Sequence, residues 1–281
     1  MPRYKITVAY DGTNFHGWQK QKRADPCDFQ EGIEPRSPGI AIPGLPSLED
    51  AIDAAPLRTV QGVLERAVRT VVRVPVNVLG ASRTDAGVHS RGQIAAFTCE
   101  AFIPVEKLPR AITSRLPEDV QVLKAEIVPD DFDPIRGAIA KGYRYRIAHS
   151  CARHRRPLFG RQYITHTAYR LDPVRMNEAA RQLLGEHDFT SFTRIHHGRE
   201  STVRTVYECK VVQTHRTRCQ IDVAGNGFLY NMVRIIAGTL VEVGRGVMEP
   251  DTMPAVLAAR DRAAAGPTMP PQGLCLMWIR Y

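Results

Sequence analysis

Residues 76–98 read VNVLGASRTDAGVHSRGQIAAFT, a polar loop set between two apolar segments. Val76–Ala81 and Gly92–Thr98 are short apolar runs bounded by polar and glycine residues, and we expect both to form β-strands. A polar loop held between two buried strands is a common position for catalytic side chains, because the scaffold fixes the loop while its residues stay accessible. This stretch therefore predicts part of a sheet together with a candidate site.

The loop contains one carboxylate, Asp85, which is followed by the small residues Ala86 and Gly87. Small neighbours let a substrate approach the carboxylate closely, and the preceding Arg83 and Thr84 supply hydrogen-bond donors for it. Two interpretations are open at this point. Asp85 is a catalytic carboxylate, or it caps backbone amides in an ordinary polar turn.

The rest of the chain alternates between strand-like and helix-like segments. Apolar runs and period-two alternation predict further strands over Tyr4–Tyr10, Val120–Val128, Arg136–His149, Val203–Gln213, Cys219–Val223 and Leu274–Tyr281. Apolar residues at helical spacing predict helices over Val60–Val72, Val105–Arg115, Pro173–Leu184, Phe228–Val243 and Pro254–Ala265. Both halves mix antiparallel-looking strands with helices, so we expect an α+β fold with an N-terminal half at 1–135 and a C-terminal half at 136–281.

Length and composition are those of a folded globular protein. The 281 residues are 43% hydrophobic and 24% charged, which argues against disorder and allows one large domain or two modest ones. No apolar run approaches the ~18 residues of a membrane span, and no apolar signal core follows Met1. The six cysteines include no C-x-x-C pair, a spacing typical of reduced thiols. We therefore expect a cytoplasmic protein without a membrane segment.

The net charge of +9 is unevenly distributed. Residues 22–57 are rich in proline and glycine, and the acidic residues of 24–53 outnumber Arg36, the one basic residue there, by six. We expect a surface insertion with little regular structure at 22–57. The chain outside residues 24–53 carries +15, which suits a polyanionic partner, and we expect the insertion to lie away from the surface that binds this partner.

The most basic segment is Lys141–Arg161, which holds seven lysine and arginine residues and no acidic residue, with aromatic residues between them. Such interleaving suits phosphate contacts combined with base stacking. The candidate nucleic-acid contacts in and near this segment are Arg144, Arg153, Arg155 and Arg156. A solvated strand and loop surface is the alternative interpretation.

Two tyrosines in this segment are two residues apart. On a strand, Tyr143 and Tyr145 share one face, while Arg144 and Arg146 share the other. The tyrosine face either stacks on a base or forms an aromatic pair in the hydrophobic core.

Arg234 lies within a segment, Phe228–Gly238, that is apolar on most faces of the predicted helix. A guanidinium at such a position loses hydration at a cost of several kcal/mol unless it is paired. Asp85 is one candidate partner. Pairing with Glu242, or extension of the side chain to solvent, is the alternative.

Several common functional motifs are absent. The histidines and cysteines lack the spacing of a metal site, and the chain contains no G-x-G-x-x-G, no G-x-x-x-x-G-K-[ST] and no G-x-S-x-G sequence. We therefore expect no metal and no cofactor, and chemistry that depends on one carboxylate.

Taken together, these residues resemble the tRNA pseudouridine synthase A family over nearly the whole chain. The R-T-D-A-G-V-H loop combined with the M-V-R helix is the most specific feature. The matching segments are Tyr10-Asp11-Gly12, Gly17-Trp18-Gln19, Gln21, Val60-Gln61, Glu65, Arg83–His89, Gln93, Leu116-Pro117, Asp119-Val120, Tyr143-Arg144-Tyr145, Gly185, Asp188–Phe192 and Phe228–Gly244. Residues 22–57 depart from the family, which usually has a much shorter connection there.

The resemblance implies two similar α+β halves joined through a mostly antiparallel sheet, with a central basic cleft. It implies a homodimer that binds tRNA and converts uridine to pseudouridine at positions 38 to 40 of the anticodon stem-loop, without cofactor or metal. Matched by position, Asp85 is the catalytic aspartate and Arg234 its ion-pair partner. Tyr143 stacks on the uracil, and Arg83 helps to hold the place of the flipped nucleotide.

Two other classes of function share parts of this pattern. A non-catalytic RNA-binding protein would use the same basic cleft, but phosphate binding alone needs no aspartate in it. A nucleoside or glycosyl hydrolase would also place a carboxylate near C1′, although most such enzymes use paired carboxylates. The product formed from tRNA distinguishes these alternatives.

Overall fold

A computed structural model describes residues 1–20, 57–100, 103–151, 158–194 and 201–281. The strands are β1 Arg3–Tyr10, β2 Leu79–Gly80, β3 His89–Thr98, β4 Val120–Val128, β5 Ala140–Ala148, β6 Thr165–His166, β7 Gly185–Asp188, β8 Val203–His215, β9 Arg218–Gly225 and β10 Leu274–Arg280. The helices are α1 Val60–Val72, α2 Leu108–Thr113, α3 Pro173–Arg181, α4 Met232–Gly244 and α5 Met253–Ala259. This mixed content confirms the α+β class.

One ten-stranded sheet runs through the molecule in the order β4-β1-β3-β10-β5-β9-β8-β7, with β2 beside β3 and β6 beside β5. Most neighbours are antiparallel, but β10 is parallel to β3 and β6 is parallel to β5. The last strand, β10, therefore lies between the strands of the N-terminal half and those of the C-terminal half. The division at residue 135 stays a prediction.

Two hydrophobic cores cover the same face of this sheet. Tyr10 is paired with Ser90, Ser90 with Leu276, and Leu276 with Tyr143. Side chains paired across neighbouring strands point to one face. Tyr10 belongs to the N-terminal core and packs with residues of α1 and α2, whereas Leu276 and Tyr143 belong to the C-terminal core with residues of α3, α4 and α5.

Several elements coincide with their predicted bounds. Helix α1 spans Val60–Val72 as expected, because Thr59 caps its first turn by accepting a hydrogen bond from the Gly62 amide and its apolar residues face the core. Strand β4 likewise spans Val120–Val128. The other helices are shorter than their periodicity predicts. The segment predicted as a helix from Val105, for example, begins with a 3₁₀ turn before α2.

The strand predicted over Val76–Ala81 is reduced to the two residues of β2. Its first part bonds to side chains of α1 instead of a neighbouring strand. The guanidinium of Arg69 donates twice to the Val76 carbonyl, and the Gln61 amide donates to the Val78 carbonyl. Because these carbonyls already accept hydrogen bonds from side chains, this part of the segment does not pair with a neighbouring strand.

Helix α4 begins at Met232 and not at Phe228, because Asn231 has a positive φ of 61° that a right-handed helix cannot include. Arg234 consequently lies in the first turn of α4.

Two sets of predictions fall on residues that lie outside the described ranges. These are the acidic insertion at 22–57, except for Leu57, and the candidate RNA contacts Arg153, Arg155 and Arg156. Within the described ranges, every helix is too short or too polar to span a bilayer.

Candidate active site

The loop that carries Asp85 is hydrogen-bonded to the end of β1 and to the turn that follows it. The Thr84 hydroxyl and the Tyr10 hydroxyl are 2.8 Å apart, and the Thr84 carbonyl accepts the amide of Trp18 at 3.1 Å. The Gly87 amide donates to the Phe15 carbonyl at 3.2 Å. Burial raises the pKa of Tyr10 well above its ordinary value, so its phenol stays protonated and hydrogen-bonded. The loop therefore rests on a fixed support.

Glycine is required where this support approaches the loop. A Cβ at Gly17 would lie 2.7 Å from the Thr84 carbonyl oxygen, and Gly17 has a φ of +92°. A Cβ at Gly12 would collide with the Val88 carbonyl. Both glycines allow the turn after β1 to pack directly under the Asp85 loop.

Asp85 and Arg234 form an ion pair. Arg234 Nη1 donates to Asp85 Oδ2 at 2.7 Å, and the two side chains are 15% and 22% exposed for arginine and aspartate respectively. These residues are 149 positions apart in the chain, and β10 with the loop before it brings their two halves together. Asp85 is thus partly accessible and is held on one side by a full positive charge.

Arg234 is itself fixed by two further contacts. Its Nε donates to the Met269 carbonyl at 2.7 Å, and its Nη1 also donates to Asn231 Oδ1 at 2.8 Å. The alternative partner, Glu242, is bound by Arg245 at 3.2 Å instead. The guanidinium therefore directs one N–H at Asp85, while its other contacts are to Asn231, directly before α4, and to the Met269 carbonyl.

Tyr143 lies on strand β5, beside the segment that leads into the Asp85 loop. It is only 7% exposed, its hydroxyl is 2.9 Å from the Ser82 hydroxyl, and its ring meets that of Phe228 edge-on with centroids 5.2 Å apart. Edge-to-face packing fixes the plane of an aromatic ring. Tyr143 therefore has a set orientation, and through Ser82 it is connected to the segment that leads into Asp85.

Tyr145 shares the face of Tyr143, as predicted, but it serves the core. It is fully buried, and its hydroxyl donates to the Pro270 carbonyl at 2.7 Å and lies 2.6 Å from the Thr165 hydroxyl. Burial raises the pKa of this phenol above its ordinary value. Both tyrosines thus belong to the C-terminal core, and the stacking of Tyr143 on a base stays a prediction.

Of the remaining candidate contacts in the described ranges, Arg83 lies in the Asp85 loop, whereas Arg144 does not adjoin it. Arg83 is exposed in the same loop. Arg144 lies on the opposite face of the sheet, where it forms a two-point ion pair with Asp222 at 2.6 and 3.1 Å. That face also contains a cavity of about 400 Å³, lined by residues that include Arg144, His89 and Tyr163. The role of Arg144 in RNA binding stays a prediction.

Gln93 and Ser82 are supporting residues whose roles the sequence does not reveal. Gln93 is fully buried in β3, where its amide donates to the Ser82 carbonyl at 2.5 Å and its Oε1 accepts the Ser82 amide at 3.1 Å. A glutamine in the otherwise apolar run Gln93–Phe97 was the available signal, since a buried amide needs polar partners. The strand alone does not show that the partner is the backbone before Asp85.

Comparison with known proteins gives a consistent result. A family model described as tRNA pseudouridine synthase matches residues 50–135 and 179–281. The chain is 40% identical to tRNA pseudouridine synthase A of Thermoanaerobacter pseudethanolicus over 281 residues, with all of both chains covered. It is 41% identical over 283 residues to tRNA pseudouridine synthase A of Bacillus pumilus, with 99% of each chain covered, and 39% identical over 282 residues to that of Moorella thermoacetica, with 100% covered. The chain therefore belongs to the tRNA pseudouridine synthase family.

Proposed function

We propose that this chain isomerises uridine to pseudouridine at positions 38 to 40 in the anticodon stem-loop of tRNA, with Asp85 as the catalytic carboxylate. The observation that carries the proposal is the 2.7 Å contact between Asp85 and Arg234 in a supported, partly accessible loop. An aspartate in an ordinary turn needs no arginine that is delivered from the other half of the chain. We further propose that the protein acts as a homodimer.

The reaction dictates what the site must do. The C1′–N1 bond of uridine breaks, the base turns, and C1′ bonds to C5 of the same base. Because the target atoms lie within a stacked nucleotide, the nucleotide must leave the stack at a cost of a few kcal/mol. We assign Arg83, exposed in the loop, to the contact that holds the place of the displaced nucleotide.

Two routes fit a single carboxylate. Asp85 acts at C1′ as a nucleophile and forms a covalent intermediate with the sugar, or it removes a sugar proton and so starts elimination of the base. In both routes Arg234 orients the carboxylate and balances its charge. Neither step needs a second carboxylate.

Tyr143 supports the base during the rearrangement. Its ring, held by Phe228, offers a fixed surface on which uracil stacks, and this restrains the detached base. Its hydroxyl is the group we assign to the last step, removal of the proton from C5.

The products formed from unmodified tRNA test this function against its alternatives. We expect pseudouridine and no free uracil. Free uracil would indicate a hydrolase, and tRNA that is bound but unchanged would indicate an RNA-binding protein. Thin-layer or mass-spectrometric analysis of the digested tRNA, together with the supernatant, separates the three outcomes.

The Tyr143→Phe substitution separates stacking from hydroxyl chemistry. We expect tRNA binding within about twofold of the unsubstituted protein and turnover lower by about 10²-fold, because the ring stays while the group assigned to C5 deprotonation is lost. Single-turnover rates at saturating protein measure the effect. Near-normal turnover would exclude the hydroxyl from the chemistry and leave Tyr143 with a stacking role only.

A further inference from the structure

The Ser82 hydroxyl is directed at the hydroxyl of Tyr143, and their oxygens are 2.9 Å apart in a buried environment. Ser82 comes three residues before Asp85 and is 9% exposed. A hydroxyl has one proton to donate and two lone pairs that accept, so each of the two groups can serve as the partner of the other. The geometry alone makes Ser82 a direct neighbour of the phenol oxygen.

The backbone of Ser82 and of the residue before it is fixed by hydrogen bonds from neighbouring strands. Gln93 accepts the Ser82 amide and donates to the Ser82 carbonyl. On the preceding residue, the Ala81 amide donates to the Ile94 carbonyl at 2.8 Å, and Lys141 Nζ donates to the Ala81 carbonyl at 2.8 Å. Four hydrogen bonds from β3 and β5 thus fix this dipeptide, and only the rotation of the Ser82 side chain is left free.

The Tyr143 ring is fixed as well. Phe228 packs edge-on against it, and β5 is paired with β10 and β9 on its two sides. The Ser82 backbone and the Tyr143 ring are therefore both held, and the contact between their hydroxyl oxygens directs the phenol proton. Such positioning is what second-layer contacts contribute at sites of proton transfer.

We propose that Ser82 is a positioning residue that accepts the hydroxyl proton of Tyr143, an inference that rests on the proposed function. In this arrangement the Tyr143 hydroxyl donates to Ser82 Oγ, and the Tyr143 oxygen is the acceptor that we assign to the C5 proton. The residue acts through Tyr143 and does not itself touch the uracil.

The final step then balances as follows. After C1′ has bonded to C5, that carbon carries one hydrogen, and N1 is doubly bonded to C6. The C5–H bond breaks, its electron pair forms the C5–C6 double bond, and the N1–C6 π pair moves to N1, which takes a proton from water. The C5 proton passes to the Tyr143 oxygen while the phenol proton moves to Ser82 Oγ and the serine proton leaves to water.

The test compares Ser82→Ala with Ser82→Thr in single-turnover reactions on tRNA with protium or deuterium at C5 of uridine. For Ser82→Ala we expect a rate about 10-fold lower, a tRNA dissociation constant within about twofold, and a larger C5 isotope effect, because deprotonation becomes slower. Ser82→Thr keeps a hydroxyl and should restore most of the rate. Ser191→Ala, which removes a buried hydroxyl bonded to the Val256 carbonyl, is the matched control and should leave rate and isotope effect unchanged.

Coupling to Tyr143 is measured by placing Ser82→Ala in the Tyr143→Phe background. We expect no further loss of rate there. An equal loss in both backgrounds, or a normal rate for Ser82→Ala alone, would overturn the positioning role. If Tyr143→Phe has no measurable turnover, an unchanged C5 isotope effect in Ser82→Ala overturns it. Absence of pseudouridine with the unsubstituted protein would instead overturn the proposed function, and this inference with it.

Discussion

Replacing Asp85 with asparagine should abolish pseudouridine formation while leaving the fold and tRNA binding intact. Asparagine keeps the shape of the side chain and can still accept a hydrogen bond from Arg234, but it is neither a nucleophile at C1′ nor a base. We expect turnover to fall by at least about 10³-fold. Because the pair is partly exposed, the unfolding free energy should change by no more than about 1 kcal/mol. Single-turnover assays, filter binding and thermal melts measure the three quantities.

Asp119→Asn is the matched control for this substitution. Asp119 is also bound by an arginine, Arg58, at 2.8 Å, and its side chain is 21% exposed, against 22% for Asp85. We expect its turnover to stay within about threefold of the unsubstituted protein, because the Asp119 carboxylate pairs with Arg58 and not with Arg234 and is assigned no step of the reaction. Activity retained by Asp85→Asn would show that the carboxylate is not the reacting group.

Replacing Arg234 with alanine should affect both activity and stability. The substitution removes three hydrogen bonds, to Asp85, Asn231 and the Met269 carbonyl, and leaves the aspartate without its cation. We expect turnover to fall by at least about 10²-fold, since the carboxylate loses its orientation, and the unfolding free energy to fall by about 1–3 kcal/mol. Kinetics combined with denaturant titration separate the two effects.

Two further substitutions make this result interpretable. Arg234→Lys keeps the charge but cannot hold Asp85 and the Met269 carbonyl together, so its turnover should lie between those of arginine and alanine. Arg245→Ala removes a cation from the end of the same helix, where it binds Glu242, and should leave turnover unchanged. Normal turnover by folded Arg234→Ala would contradict the assigned role of the ion pair.

Local periodicity predicts those elements whose hydrogen bonds remain within the backbone. Helix α1 has a capping Thr59 and a regular apolar face, and its bounds are as predicted. The segment Val76–Ala81 has an equally clear strand pattern, yet the side chains of Arg69 and Gln61 donate hydrogen bonds to two of its carbonyls. The predicted start of α4 at Phe228 was wrong because Asn231 adopts a left-handed conformation, which the spacing of apolar residues does not reveal.

The candidate site follows the same division. Spacing along β5 places Tyr143 and Tyr145 on one face, but it does not show that Thr165 and Pro270 engage the hydroxyl of Tyr145 whereas Ser82 faces that of Tyr143. The basic character of Arg144 suggested an RNA contact, although Asp222 on β9 holds its guanidinium. Contacts between distant strands depend on sheet order, which a single sequence does not specify.

The desolvation cost of Arg234 predicts an acidic partner, and one of the two candidates lies in the other half of the chain. A guanidinium in an apolar segment requires an acid, and of the two acids considered the structure provides Asp85. The choice between them depends on the position of β10 between the two halves. That position brings Met269 and the start of α4 to the Asp85 loop.

The most direct test of this account is to map pseudouridine in an unmodified tRNA that carries uridines at positions 38, 39 and 40 and elsewhere, after incubation with the unsubstituted protein and with Asp85→Asn. Chemical labelling of pseudouridine followed by primer extension gives the positions. We expect modification confined to positions 38 to 40 with the unsubstituted protein, and none with Asp85→Asn. Modification outside the anticodon stem-loop, or equal modification by both proteins, would contradict it.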